Sequence, residues 1–135
     1  MPKILVVEDD RKLNQTICYA LENAGYIPCP AHSIKSAKAV CLQDTPRLII
    51  LDVNLPDGEG FLFCQWIKSQ SSSPVLFLTA RDLEEDALTG YELGAEDYVT
   101  KPFSIKILLK KIDVILKRNQ PDSTSSFNDG FLSVD

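Results

Sequence analysis

The sequence predicts an α/β fold: a doubly wound, five-stranded parallel sheet with five helices. Three observations carry that prediction. Five short apolar runs alternate along the chain with longer segments of helical period. The first, third and fourth runs are apolar at every position, as strands buried on both faces are. The spacing between runs suits right-handed βαβ crossovers, which cover both faces of a parallel sheet. The strands are expected at Ile4-Leu5-Val6-Val7, Tyr26-Ile27, Leu48-Ile49-Ile50-Leu51, Val75-Leu76-Phe77-Leu78 and Tyr98-Val99. In the first helix Leu13, Ile17, Ala20, Leu21 and Ala24 recur at helical spacing, and Gly25 supplies a stop. Ser33 is placed to cap a second helix running from about Ile34 to Leu42. A third follows Gly58-Glu59-Gly60 and buries Phe63, Cys64 and Ile67 before the polar run Ser69 to Ser73 and Pro74. A fourth extends from about Leu83 to Leu93 and ends at Gly94. The last begins near Ser104, with Ile105, Leu108, Ile112, Ile115 and Leu116 in one stripe.

Composition narrows the function. A chain of 135 residues, 44% apolar and 24% charged, fills one core. Its net charge of −5 argues against a nucleic-acid grip in these residues, because phosphate binding needs a basic face. No apolar run approaches the ~20 residues of a membrane-spanning helix, and Met1-Pro2-Lys3 leads straight into a strand without signal-peptide architecture. A cytosolic chain without membrane contact is expected. Cys18, Cys29, Cys41 and Cys64 lie far apart with one histidine in the chain, so buried reduced thiols are expected rather than a zinc site. Residues 1–118 form the expected domain. Asn119 to Ser126 has no apolar residue and reads as a linker, and Phe127 to Asp135 resumes a hairpin-like pattern around Asn128-Asp129-Gly130.

Ligands of an open parallel sheet sit outside the carboxyl ends of its strands. Those ends carry Glu8-Asp9-Asp10, Asp52, Thr79-Ala80 and Thr100-Lys101-Pro102. Carboxylates gathered on one edge repel one another, and a hard divalent cation resolves the repulsion. Oxygen-only donors favour Mg²⁺. With one carboxylate as nucleophile, a transferring phosphoryl group would meet the metal on one side, Lys101 on the other and the Thr79 hydroxyl as hydrogen-bond donor. Singly, each residue has a plainer role: Asp9 or Asp10 as a helix cap, Asp52 as a turn residue before Leu55-Pro56-Asp57-Gly58, Thr79 as a cap, Lys101 as a loop lysine.

Over residues 1 to about 118 the chain resembles the receiver domain of bacterial two-component response regulators. The motifs are Ile4-Leu5-Val6-Val7-Glu8-Asp9-Asp10; Leu51-Asp52-Val53-Asn54-Leu55-Pro56 with Gly60; Leu78-Thr79-Ala80-Arg81; and Gly94-Ala95-Glu96-Asp97-Tyr98-Val99-Thr100-Lys101-Pro102-Phe103. The last resembles the OmpR/PhoB-like branch, whose members carry a winged-helix DNA-binding domain, and Phe127 to Asp135 looks like the first hairpin of one. The resemblance implies a flavodoxin-like sheet of strand order 2-1-3-4-5. It implies that Asp52 accepts the phosphoryl group of a sensor histidine kinase, with Asp9 and Asp52 on Mg²⁺ directly, Glu8 through a water and Asn54 through its backbone carbonyl. Lys101 then pairs with the phosphoryl oxygens, the Lys101–Pro102 bond is cis, and Thr79 and Tyr98 form the switch pair. Asn54 stands where this branch more often has methionine, which bears on the lifetime of the phosphorylated state. The resemblance also implies a homodimer on activation. Its face takes in Ala87, Leu88, Tyr91, Glu96, Asp97, Ile107, Lys111 and Arg118, with inter-subunit pairs Glu96–Lys111 and Asp97–Arg118. Ala87 and Ile107 replace the third pair. Any DNA contact would run through a C-terminal domain that is not complete here.

Three other readings compete with this one. A Mg²⁺-dependent phosphohydrolase places D-x-D on its first strand and needs a second carboxylate, which Asp52-Val53-Asn54 does not supply. A flavodoxin-like cofactor binder needs a phosphate loop where Glu8-Asp9-Asp10-Arg11 stands. A phosphorylation-independent pseudo-receiver would not need the full set of Asp52, Thr79, Lys101 and the acids. His32 and Trp66 are expected to be a surface residue and a packing residue of the third helix. Ile107 and Val114, off the buried stripe and seven apart, share an outer face with Lys111.

Overall fold

The computed structural model describes residues 2–55, 57–79, 95–100 and 104–118. Five strands form one sheet: β1 (Lys3–Val7), β2 (Ile27–Ala31), β3 (Leu48–Asp52), β6 (Val75–Thr79) and β7 (Asp97–Thr100). Their order is β2-β1-β3-β6-β7 and every pairing is parallel, the predicted 2-1-3-4-5 arrangement. A two-stranded antiparallel turn, β4 (Asn54–Leu55) with β5 (Gly58–Glu59), was not anticipated. Among the described residues the helices are α1 (Arg11–Asn23), α2 (Ile34–Gln43), α3 (Gly60–Gln70) and α4 (Ile105–Arg118). The helix expected from Leu83 to Leu93 and the segment from Asn119 onward lie outside the described residues.

Alternation along the strands divides the core. Ile4, Val6, Leu48, Ile50, Leu76 and Leu78 pack with Ile17 and Leu21 of α1 and with Leu108, Ile112, Ile115 and Leu116 of α4. Leu5, Val7, Ile49, Leu51, Val75 and Phe77 face the other way, onto Ala37 of α2 and Phe63, Cys64 and Ile67 of α3. Of the helical stripes read from spacing, Ile17, Leu21, Phe63, Cys64, Ile67, Leu108, Ile112, Ile115 and Leu116 are buried, Leu13, Ala20 and Ile105 are half-buried, and Ala24 is exposed.

Helix ends follow local chemistry. Ser33 caps α2, its side chain accepting from the Ser36 amide at 3.2 Å. Gly25, at φ 93°, closes α1: its own amide donates to Glu22 and the Tyr26 amide to Leu21, the paired bonds of a Schellman ending. Only β2 was badly bounded by the sequence, because Pro28 and Pro30 argue against a strand. They are tolerated because β2 is the edge of the sheet, bonded through Ile27 and Ala31 on its β1 side. The cysteines are free, but only Cys64 is buried; Cys18, Cys29 and Cys41 are half-buried. Burial pushes the Cys18 thiol up to about 11. Trp66 packs as expected, stacked on Phe63 with centroids 5.7 Å apart and with the Lys38 ammonium over its ring. His32 is half-exposed at the entry to α2.

Candidate functional site

The carboxyl ends of β1 and β3 are adjacent in the sheet, with Val7 opposite Leu51, so the residues that follow them meet. Glu8, Asp9 and Asp52 each offer one carboxylate oxygen within 4.8 Å of the others. Glu8 and Asp52 are 1% and 4% exposed, whereas Asp9 opens to solvent. Among the described residues no His or Cys joins this group. Three carboxylate oxygens, two of them largely desolvated, suit a hard oxygen-seeking divalent cation and suit a soft metal poorly.

The sequence left Asp10 between ligand and cap, and the geometry resolves it. Its side chain accepts from the Leu13 amide at 3.1 Å as the N-cap of α1, outside the carboxylate group. The Asp10 amide in turn donates to Glu8 Oε2 at 3.1 Å, which fixes the Glu8 carboxylate from below.

Asn14 was missed by sequence reasoning. Fully buried, it donates through Nδ2 to the carbonyls of Val6 at 3.2 Å, Glu8 at 3.0 Å and Ala31 at 3.1 Å. One amide thus ties the carboxyl ends of β1 and β2 to α1, next to the backbone of Glu8. A signal existed: Asn14 lies three and seven residues before Ile17 and Leu21, on the inward stripe of its helix, where a polar side chain must find partners.

The turn after Asp52 is fixed by close approach. The Gly60 amide donates to the Val53 carbonyl at 2.6 Å, and a Cβ on Gly60 would lie 2.3 Å from the Asp52 carbonyl oxygen. Gly60→Ala is therefore expected to lower stability by about 2–3 kcal/mol, as over-packing against backbone does, and to loosen the site. A denaturant midpoint within error of wild type would contradict this contact.

Thr79 ends β6 in register with Thr100, two residues beyond the Phe77–Tyr98 pairing. Tyr98 is half-buried against the layer that contains Phe77 and Phe63. Lys101 and Pro102, directly after β7, lie outside the described residues, as do Ala87, Leu88 and Tyr91. On α4, Ile107 and Val114 are 56% and 44% exposed, as their spacing suggested. The charged residues beside them also form pairs within the chain. Within the single chain, Lys111 meets Asp97 at 2.8 Å and Arg118 meets Glu96 at 3.9 Å. These in-chain pairs follow from reach, since Asp97 of β7 and Glu96 just before it lie beside α4.

A parallel sheet of this order with acids at the ends of its first and third strands defines a class: the response regulator receiver domain, whose family matches residues 4–113. The chain belongs to that family and is the receiver domain, a signalling domain, of a two-component response regulator. Its relatives are transcriptional regulators. It is 42% identical over 122 residues to the phosphate regulon transcriptional regulatory protein PhoB of Escherichia coli (strain K12), covering 88% of this chain and 53% of that protein. It is 37% identical over 134 residues to the transcriptional regulatory protein PmrA of Pectobacterium parmentieri, covering 98% and 60%. The chain thus spans little more than half the length of the curated relatives it matches. Among solved structures it superposes on the non-phosphorylated HemR receiver domain from Leptospira biflexa with a TM-score of 0.84 and 35% identity, covering 91% of this chain and all of that one. The BeF3-activated receiver domain of Klebsiella pneumoniae RstA gives 0.81 and 28%, covering 85% and 98%. The phosphohydrolase, cofactor-binder and pseudo-receiver readings are not favoured by these likenesses.

Proposed function

We propose that this domain takes a phosphoryl group from a sensor histidine kinase onto Asp52 and passes the change to a transcriptional output. The observation that carries the reading is the meeting of Asp52 with Glu8 and Asp9. An Asp52 oxygen forms the new P–O bond as the P–N bond of the donor phosphohistidine breaks; the departing imidazole keeps the electron pair and takes a proton. Asp9, Asp52 and the Asn54 carbonyl would hold Mg²⁺, with Glu8 acting through a water. When bound, that ion neutralises charge on the transferring oxygens. Lys101 pairs with those oxygens from the opposite side, and the Thr79 hydroxyl donates to them. Thr79 and Tyr98 then switch together, favoured by the differential contacts that the added charge makes. Incubation with acetyl phosphate and Mg²⁺ tests the reading by mass spectrometry. One phosphoryl group per chain, dependent on the metal, is expected; none would leave a pseudo-receiver.

The output reading extends to oligomerisation. The domain, residues 1–118, dimerises when activated, and residues 119–135 begin a linker and a DNA-binding domain. No helix among the described residues is long and apolar enough to cross a membrane, and the domain is assigned to the cytoplasm. The dimer face joins Ile107 and Val114 with Glu96, Asp97, Lys111 and Arg118, together with Ala87, Leu88 and Tyr91. Exposed ion pairs contribute ~0–1 kcal/mol each, so exchanging the in-chain partners Asp97–Lys111 and Glu96–Arg118 for inter-subunit ones costs little. The beryllofluoride-activated chain is expected to sediment as a dimer, and Ile107→Glu and Arg118→Glu as monomers. Dimers in both variants would move the interface elsewhere.

A further inference from the structure

The turn that leaves Asp52 is tied to a helix far away in sequence. Asp57, at its tip, accepts from the Ile34 amide at 2.9 Å and the Lys35 amide at 3.1 Å. Both are first-turn amides of α2, which have no partner within the helix. The next amide, Ser36, is taken by the Ser33 side chain, and Ala37 makes the first helical bond, to the Ser33 carbonyl. The first three helical amides of α2 are thereby all partnered, two of them by the turn. Gly58 is pressed onto the same place: at φ 155° it has no side chain, and a Cβ there would lie 2.9 Å from Ile34 Cδ1. At its other end the turn is held by Gly60 against the Val53 and Asp52 carbonyls. Asn54 lies between these two fastenings. The Ile34 amide, above all, holds the Asp57 carboxyl below the usual carboxylate range against the opposing effect of burial, with the Lys35 amide, the residue's own amide and the Lys38 charge adding less.

We propose that Asp57 is a positioning residue for the acidic site, fastening the turn that carries Asn54 to α2 so that metal binding and the order of the first turn of α2 are coupled. This rests on the reading that the Asn54 carbonyl faces the metal of Glu8, Asp9 and Asp52. A metal that draws on the turn draws on Asp57, and through it on the Ile34 and Lys35 amides. Coupling of two equilibria is reciprocal, so loosening the tie must weaken metal binding by the factor through which metal tightens the tie.

Amide hydrogen exchange and Mg²⁺ titration, on the same full chain, test this. In the wild type, Mg²⁺ is expected to slow exchange at Ile34 and Lys35. Asp57→Ala is expected to speed exchange there about tenfold without metal, to abolish the response of those amides to Mg²⁺, and to weaken Mg²⁺ binding about tenfold. Asp57→Asn, which keeps one acceptor oxygen and the residue's size, is expected to fall between and serves if the alanine variant does not fold. Mg²⁺ bound by the wild type with these amides unmoved, or bound at wild-type affinity by both Asp57 variants, would overturn the coupling and leave the site reading standing. A wild type that binds no Mg²⁺ at all would overturn the site reading, and the coupling with it.

Discussion

Asp52→Asn is expected to leave a folded chain that no longer accepts phosphate. Asparagine is nearly isosteric with aspartate and sits as easily at the end of β3, so core packing around Leu51 and Val53 is preserved. Two opposing changes act on stability. Removing one of three crowded carboxylates relieves repulsion, while an amide buried where a carboxylate stood must find new partners for its NH₂ group. The net change in unfolding free energy is expected to stay within about 1 kcal/mol. The chemical change is far larger, because an amide oxygen is a poor nucleophile and a carboxylate is the attacking group. A loss of at least about a thousandfold in the rate of phosphate gain is expected, near the detection limit of mass spectrometry. Phosphate accumulating on Asp52→Asn at the wild-type rate would show that another residue is the acceptor.

The second large effect concerns the metal. Asp9→Asn is expected to weaken Mg²⁺ binding more than Glu8→Gln does, and the geometry gives the reason. Asp9 is open to solvent and free of the cap that occupies Asp10, so its oxygen can enter the inner sphere of a cation. Glu8 is buried, with one oxygen already accepting from the Asp10 amide, so it is better placed to act through a water. Losing a direct carboxylate ligand should lower affinity on the order of tenfold or more, and losing the water-mediated one by less. Thermal unfolding reads this directly. Metal bound only by the native chain stabilises it by about 2.7 kcal/mol at a hundredfold excess over Kd, so Mg²⁺ should raise the wild-type midpoint clearly and that of Asp9→Asn little. A larger loss in Glu8→Gln would reverse the two roles.

Much of this site is legible because it is built from strand ends. A strand buried on both faces announces itself as an unbroken apolar run, and the first polar residue after it marks where the sheet opens to solvent. That logic found Glu8, Asp9 and Asp52 without any knowledge of which strands are neighbours. The caps at Ser33 and the stop at Gly25 were legible for a similar reason: each is decided by hydrogen bonds within a few residues.

What the sequence by itself determined, then, is the α/β class, most of the inward helix faces among the described residues, and Glu8, Asp9 and Asp52 at the sheet's carboxyl edge. Its limits appear wherever a partner is distant along the chain. The prolines of β2 read as breakers until the sheet makes that strand an edge, where a missing N–H costs nothing. Asp10 can cap α1 by sequence alone, and what the fold adds is that Glu8, Asp9 and the distant Asp52 converge without it. Asn14 is a polar residue on an apolar stripe until Val6, Glu8 and Ala31 supply its three acceptors. Asp57 is one more turn residue until α2, more than twenty positions earlier, brings two unsatisfied amides to it. Asp97 and Lys111, and Glu96 and Arg118, pair within one chain only because packing lays β7 beside α4. Apolar periodicity survives in sequence because burial acts on whole faces of an element, whereas a hydrogen bond or ion pair joins single atoms whose meeting only tertiary packing decides.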